Sequence, residues 1–182
     1  MKKNTRFIAF LTVIFFVTAA VCFGGGGTDT SGSSVNSAPS VESGSSGSAP
    51  LPAARGKLTI TGIPSSLNGK YAMLSAGTIG QNDVLVGFEG STGSGANANL
   101  TLSRIANGRV SIPVYLSRNS GNLTAYQGND TAETLMIAVL NDSTISQSSA
   151  ANIVNYLAIM TVTSVTFSGG NRELVWNGML LR

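Results

Sequence analysis

Acid–base chemistry in this chain would fall almost entirely to carboxylates, because the sequence contains no histidine. Histidine is the side chain best suited to proton transfer near neutral pH, and it is the commonest metal ligand. The acidic residues after residue 54 form no recognisable acid–base or metal motif. They are Asp83, Glu89, Asp130, Glu133, Asp142 and Glu173. We therefore expect no enzyme activity, catalytic residue, metal site or cofactor, and a hydrolase with two facing carboxylates is the least favoured alternative.

The residues most able to hold a ligand are aromatic or acidic and lie beside turn-forming residues. Tyr115 lies two positions after Pro113, and Tyr126 lies two positions before Gly128, so we expect both rings at the surface. Asp130 lies in a short run of oxygen-bearing side chains. Such oxygens suit calcium, but the spacing favours an Asx-type turn held by its own side chains. We predict Tyr115, Tyr126 and Asp130 as ligand-binding residues.

The amino-terminal residues have the order of a secretory signal. Met1–Arg6 carries three cationic side chains, Phe7–Val17 is apolar apart from Thr12, and small residues follow. A charged, then apolar, then small-residue order is typical of a signal peptide, which we predict at residues 1–21. The alternative is an uncleaved anchor, although the apolar run is at the short limit for crossing a bilayer.

Cys22 is the only cysteine of the chain and lies where this signal ends, directly before Phe23 and four glycines. The sequence Ala19-Ala20-Val21-Cys22 resembles a bacterial lipoprotein box. The resemblance implies acylation of the Cys22 thiol and anchoring in the outer or inner membrane. Each methylene of the acyl chains that is buried in the bilayer would contribute about 0.8 kcal/mol to membrane binding. The alternative is cleavage after Ala20, which would leave a secreted protein with a free thiol.

The segment after Cys22 predicts a tether. Of the 31 residues from Gly24 to Ala54, 19 are Gly, Ser or Pro, and the only charges are Asp29 and Glu42. A segment with so little apolar surface cannot offset the entropy lost when a chain becomes ordered. We therefore expect residues 22–54 to be disordered. A Gly/Ser coil of this length has a root-mean-square reach of about 30 Å.

The distribution of charge argues against nucleic-acid binding. Three of the eleven basic residues, Lys2, Lys3 and Arg6, lie in the predicted signal, which leaves eight against eight acidic residues. The remaining basic residues are scattered along the chain. Release of counterions from phosphates requires clustered Lys and Arg, so we expect no nucleic-acid partner.

Residues 55–182 predict one all-β domain. Short runs rich in Val, Ile, Thr and Tyr alternate with Gly and Asn, and the Asn-Gly pairs predict tight turns. The predicted strands are 57–63, 71–79, 83–89, 98–106, 109–117, 123–126, 131–140, and a closing hairpin of 157–167 and 172–176. Pro113 cannot donate a ladder hydrogen bond, so we expect an edge strand or a bulge there. Residues 143–155 fit a loop or a short helix, and Phe167 and Trp176 are expected in the core.

Strands joined by tight turns favour antiparallel pairing between neighbours, because parallel pairing needs a long crossover. The sequence therefore predicts a single antiparallel meander of about eight strands that closes into a small barrel. A two-sheet β-sandwich is the alternative, because alternation alone does not separate the two architectures.

Several motifs within residues 57–177 resemble those of spirochaete-type lipoproteins with a small β-domain. They are Leu58–Pro64, Asn68–Ala72, Asn107–Tyr115, Tyr126–Thr131 and Val165–Gly170, with Trp176. That family has no established activity, so the resemblance implies fold and location alone. We expect an envelope lipoprotein whose domain binds a protein, a glycan or another envelope component. The alternative is a carrier of a small apolar ligand inside the barrel.

Overall fold

The computed structural model of the protein describes residues 51–80, 83–92, 98–118, 123–146 and 156–181. The predicted signal peptide, Cys22 and the predicted tether up to residue 50 lie outside the described residues, as do residues 147–155. The described chain is almost entirely β-strand, with one 3-10 turn at Ser65–Leu67, so the all-β prediction is confirmed.

Thirteen strands are present in the described residues, and several have the predicted bounds. They are β1 Gly56–Thr61, β2 Tyr71–Ile79, β3 Asp83–Gly87, β4 Gly90–Thr92, β5 Asn99–Thr101, β6 Ser103–Arg104, β7 Val110–Ser117, β8 Leu123–Ala125, β9 Thr131–Leu140, β10 Thr144–Ser146, β11 Tyr156–Thr166, β12 Arg172–Val175 and β13 Met179–Leu180. The alternation of apolar and polar residues explains β1. Leu58 and Ile60 are fully buried, whereas Lys57, on the opposite face of the strand, is exposed.

Ten of these strands form one curled sheet with the shape of a half-barrel. The order along it is β12-β1-β7-β3-β2-β9-β11-β13, with β6 beside β2 and β8 beside β7. Neighbours along this path are antiparallel except β1 and β12, which are parallel. The predicted antiparallel sheet of about eight strands is therefore present.

The strand order departs from a simple meander in two places. β1 pairs with β7 and β12 and not with β2, and β9 pairs with β2 and not with β8. The connection from β1 to β2 buries Ile63 and Leu67 in the core, so it covers one end of the sheet. Its Asn-Gly turn does not form a hairpin. The Asn68 side-chain oxygen accepts a hydrogen bond from the Gly108 N–H at 2.9 Å, which ties the two Asn-Gly turns together.

The final segment joins the two ends of the curled sheet. β12 pairs with β1 at one end of the path and β13 pairs with β11 at the other, and only residues 176–178 separate them. A chain spans at most about 3.3–3.6 Å per residue, so the sheet must curl to bring these ends together. The predicted closing hairpin is half right: Ser168 and Asn171 form its turn, but β11 and β12 then diverge to different partners.

Pro113 lies inside the sheet, so the expected edge position is wrong. Its strand β7 has β1 on one side and β3 on the other, with Pro113 opposite Lys57. The β3–β7 ladder ends at the Gly87–Val114 pair, one residue before Pro113. The missing N–H therefore falls just beyond the ladder, where a proline is tolerated.

A small second sheet, in the order β10-β5-β4, covers part of the outer face of the curled sheet. The inner face holds the main core, which includes Leu74, Ile112 and Ile137. Outward-facing Met73 and Leu140 pack beneath the small sheet with Ile145 of β10. The middle of the curled sheet is thus buried on both faces, which fits its long apolar runs.

Candidate functional site

Tyr126 and Asp130, two of the predicted ligand-binding residues, contact each other in the loop between β8 and β9. The Tyr126 hydroxyl donates to Asp130 Oδ2 at 3.1 Å and accepts from the Asp130 N–H at 3.3 Å. Tyr126 is 3% exposed, and its ring packs edge-on against Phe167 with centroids 5.4 Å apart. The predicted surface position of Tyr126 is wrong, because the ring belongs to the main core.

The loop at 126–130 is fastened to the turn at 167–171, and we call the two together the end lock. Asn129 Oδ1 accepts the Gly169 N–H at 2.7 Å, and the Asp130 carbonyl accepts the first N–H of the turn at 3.0 Å. Asn129 therefore bonds to a turn 40 residues further along the chain, whereas the sequence favoured an Asx-type turn held by its own side chains. Within the described ranges, no three Cys, Asp or Glu side chains lie together in a way that could hold a metal ion.

Glycines allow the backbones of the end lock to approach closely. A Cβ on Gly56 would lie 2.4 Å from the Gly170 carbonyl oxygen, and one on Gly170 would lie 2.6 Å from the Tyr126 carbonyl oxygen. Gly170 also has a φ of +78°, in the left-handed region that favours glycine. The end lock is therefore a packed structural element, with no room for a ligand between its backbones.

The Tyr126 hydroxyl gives the domain a predicted sensitivity to alkali. Burial, and then the hydrogen bond to Asp130, raise the pKa of Tyr126 to about 12, whereas a tyrosine in an unfolded chain has a pKa of about 10. The folded state holds this proton more tightly, so the stabilisation is complete below about pH 10 and is lost as the pH rises towards about 12. We expect the free energy of unfolding to fall across that window, and to fall less steeply in Tyr126→Phe.

Urea titrations of both proteins on either side of this window measure the difference. Tyr115 and Tyr156, whose pKa values burial also raises, remain in both proteins and contribute equally. Identical pH dependence of the two proteins would contradict the assignment to Tyr126.

Tyr115 does not join the other two predicted residues. It pairs with Ala125 across β7 and β8, so Tyr126, the next residue along the chain, points to the opposite face. Tyr115 is 3% exposed and stacks on Phe88 with ring centroids 5.3 Å apart. Burial, and then the charge of Glu89, raise the pKa of Tyr115. Its predicted surface position is wrong because the ring is buried in a cluster with Val86, Phe88 and Leu123, which we call the outer apolar cluster.

The structure instead exposes apolar side chains on the final segment. Val175, Met179 and Leu180 are 72%, 64% and 53% exposed, and no other large apolar side chain in the described part of the chain is comparably exposed. We call these three residues the apolar strip. Val175 lies on β12, and Met179 and Leu180, as consecutive residues of β13, point to opposite faces of the sheet. Sequence reasoning missed the apolar strip because residues after 176 showed no strand pattern. The run 174–181, which carries apolar residues and no charge, could have indicated these exposed side chains from the sequence.

β11 and β12 follow each other along the chain but do not pair. β11 pairs with β9 and β13, and β12 pairs with β1, and no hydrogen bond joins β11 to β12 in the residues that the structure describes. Val162, Leu174 and Trp176, on or next to these strands, are half-buried and pack against the main core. Trp176 therefore contacts the core as expected, although it is only partly covered.

An exposed ion pair includes Glu173 of β12. Arg109 Nη2 lies 3.6 Å from Glu173 Oε2, and the two side chains are 57% and 60% exposed. Val175 is two residues beyond Glu173 on the same strand. The final segment thus carries exposed apolar side chains, exposed charges, and strands that pair on one side only in the described residues. These features suit contact with a macromolecule better than the burial of a small molecule.

No helix in the described residues is long and apolar enough to cross a bilayer. No family model, curated protein or solved structure matches this chain.

Proposed function

We propose that this chain is a lipid-anchored protein of the bacterial envelope whose β-domain is a binding module and not an enzyme. The observation that carries the binding role is the apolar strip. Three large apolar side chains exposed within six residues of the final segment are typical of a segment that contacts a partner. The partner class is a protein or a glycan of the envelope or its surroundings. The anchor would hold the module at the outer or the inner membrane.

Support for the anchor comes from the amino-terminal sequence. Cys22 follows an apolar run and a small-residue region, and it is the only thiol in the chain. Acylation there would keep the domain at the membrane, with residues 23–54 between the lipid and the domain. Bilayer partition by acyl chains then needs no contribution from the domain itself.

The carboxylates support a role without catalysis, because several of them already have structural partners. Ser103 Oγ donates to Glu89 Oε1 at 2.8 Å, and Arg118 Nε lies 3.8 Å from Asp83 Oδ2. Asp130 is engaged by Tyr126. A glycosidase-type mechanism would require two carboxylates that face each other across a cleft.

The core supports a binding module over an apolar carrier. The inward-facing side chains contact one another in one cluster, and many of them, such as Leu58, Leu135 and Phe167, are fully buried. A carrier of small molecules needs a cavity of about 300–1,000 Å³. The contacts among the inward-facing side chains of the described residues weigh against such a cavity.

Replacing Cys22 with alanine should release the protein from the membrane. We expect the wild-type chain, expressed in a Gram-negative host, to partition into the detergent phase after its signal is removed. The processed Cys22→Ala chain should move almost entirely to the aqueous phase, because the acyl chains supply the partition energy. Phase separation followed by mass spectrometry of the amino terminus measures both the partition and the added acyl mass.

A Cys22→Ala chain that loses its signal and still partitions with detergent would contradict the lipid anchor. The same soluble chain also tests the carrier alternative. Organic extraction of protein purified without detergent is expected to yield no apolar molecule in a one-to-one ratio. A stoichiometric apolar molecule would favour the carrier.

A further inference from the structure

We infer that Asn177 is a modification site, at which the folded chain deamidates without an enzyme and gains a carboxylate. The inference depends on neither the lipid anchor nor a binding partner. Asparagine before glycine is especially prone to this reaction, because glycine has no side chain to hinder its own backbone nitrogen. The chain contains three such pairs: Asn68-Gly69, Asn107-Gly108 and Asn177-Gly178. All three asparagines are exposed, so they differ only in the state of the nitrogen that must attack.

The reaction needs only water and the chain itself. The Gly178 nitrogen loses its proton to a base in the solvent and attacks Cγ of Asn177, and the side-chain nitrogen leaves as ammonia. The product is a cyclic succinimide. Water then opens the ring at either carbonyl carbon and gives aspartate or isoaspartate, so water is consumed and ammonia is released with no oxidation or reduction. In isoaspartate the main chain runs through Cγ, which adds a methylene to the backbone.

The first two Asn-Gly pairs have nitrogens that are already engaged. The Gly69 N–H donates to the Ile105 carbonyl at 2.9 Å. The Gly108 N–H donates to Asn68 Oδ1, also at 2.9 Å. A nitrogen that donates a hydrogen bond must give that bond up before it can attack, which slows the reaction by the contribution of the bond. Both of these turns are thereby protected.

The third pair has an open nitrogen. Ile159 of β11 pairs with Met179 of β13. The Leu181 N–H donates to the Leu157 carbonyl at 2.8 Å, which fixes the phase of this ladder. Alternate residues of a strand direct their N–H groups to opposite sides, so the Gly178 N–H faces away from β11. β13 pairs with β11 alone, and no hydrogen bond within the described ranges has the Gly178 N–H as its donor.

Close packing requires the glycine that makes this pair reactive. A Cβ on Gly178 would lie 2.5 Å from Trp176 Cζ2 and 2.6 Å from the Ile159 carbonyl oxygen. Gly69 and Gly108 have φ values of +80° and +68°, whereas Gly178 does not have a positive φ. The Trp176 ring, and not the geometry of a turn, therefore excludes a side chain at this position.

Deamidation at Asn177 would act on the link that joins the two ends of the curled sheet. The Trp176 N–H donates to the Thr61 carbonyl at 2.8 Å on one side of Asn177, and β13 pairs with β11 on the other. The new carboxylate adds a negative charge to a run, 174–181, that carries none. The added methylene of isoaspartate changes the length of the link. Because β13 has only two residues, we expect isoaspartate to release it from β11.

Peptide mapping of the purified, folded chain tests the inference. Trypsin cleaves after Lys and Arg, so each Asn-Gly pair falls in a separate peptide with no second asparagine: 58–70, 105–109 and 173–182. The protein is incubated for several days in mildly alkaline buffer, and chromatography with mass spectrometry follows aspartate and isoaspartate in each peptide. We expect 173–182 to convert about fivefold faster than the others or more, the factor that an average hydrogen bond supports. Equal rates, or slower conversion of 173–182, would overturn the inference.

Unfolding provides the matched control. In concentrated urea none of the three nitrogens keeps its partner, so we expect the three peptides to convert at similar rates. A preference for 173–182 that persists in urea would overturn the structural basis of the inference, because local sequence alone would then explain it. Asn68→Ala removes the acceptor of the Gly108 N–H. In that folded variant, conversion of 105–109 should rise severalfold while 173–182 stays unchanged, and no rise would contradict protection by the hydrogen bond.

Amide hydrogen exchange measures the structural consequence. We expect exchange in residues 179–181 to be severalfold faster in protein that contains isoaspartate at position 177 than in fresh protein. Asn177→Gln, incubated in the same way, should show no change, because glutamine forms the larger ring much more slowly. Unchanged exchange in the isoaspartate form would overturn the predicted release of β13.

Discussion

Replacing Gly170 with alanine is expected to lower the free energy of unfolding by about 2–5 kcal/mol, a large part of the stability of a small domain. Two effects add. A non-glycine residue at a φ of +78° is strained, and the new Cβ would lie 2.6 Å from the Tyr126 carbonyl oxygen and 2.7 Å from the Gln127 Cα. Both contacts are with backbone atoms, so a side-chain rotation cannot relieve them. Urea denaturation of the two proteins measures the change.

The neighbouring glycine provides a matched control. Gly169 also has a positive φ, of 54°, but a Cβ there would meet no atom within 4 Å. Gly169→Ala should therefore carry the conformational strain alone, about 1–2 kcal/mol. Similar losses for the two variants would show that the close approach within the end lock contributes nothing.

Truncating Phe167 to alanine is expected to destabilise the domain by about 3–5 kcal/mol. The residue is 1% exposed and lies at the junction of the main core and the end lock. Its loss leaves a cavity and removes the edge-to-face contact with Tyr126. Chemical denaturation of the purified domain-containing chain measures the difference.

Two further variants serve as controls for Phe167→Ala. Phe167→Leu fills more of the site and should lose less than Phe167→Ala. Met179→Ala removes a large apolar side chain that is 64% exposed, so it should change stability by about 0.5 kcal/mol or less. Equal effects of Phe167→Ala and Met179→Ala would contradict the assignment of Phe167 to the core.

Local pattern was sufficient to predict most strands and turns. β2 and β9 begin and end at the predicted residues, because long apolar runs between turn residues leave little choice. The pair Asn107-Gly108 adopts positive φ at both residues, as a tight turn requires. Short strands were harder to predict: 98–106 divides into β5, in the small sheet, and β6, in the curled sheet. Leu102 between them is buried in the apolar cluster between the two sheets.

Strand order could not be predicted from the same patterns. The pairing of β1 with β12 joins residues more than a hundred positions apart, as in the hydrogen bond from the Lys57 N–H to Asn171 Oδ1. Nothing in either strand specifies the other: β1 shows ordinary alternation, and β12 is four residues long with two charged and then two apolar residues. The partner of β1 is decided by the whole curled sheet and by the buried residues between β1 and β2.

The expected exposure of two candidate site residues was wrong for a related reason. Tyr115 and Tyr126 lie near Pro113 and Gly128, and residues near turn formers are often exposed. Here the outer apolar cluster buries one ring and the end lock buries the other. The exposure of Val175 and Met179 depends on the divergence of β11 from β12, which is a property of tertiary structure.

The joining of both sheet ends by the final segment also governs the order in which the protein can form. β1 cannot acquire its parallel neighbour until residues 172–175 have been synthesised, so one of its sides stays open while most of the chain is made. Such long-range pairing slows folding and leaves a partly folded intermediate that is prone to aggregate. We expect a chaperone to be most useful to this protein during that interval.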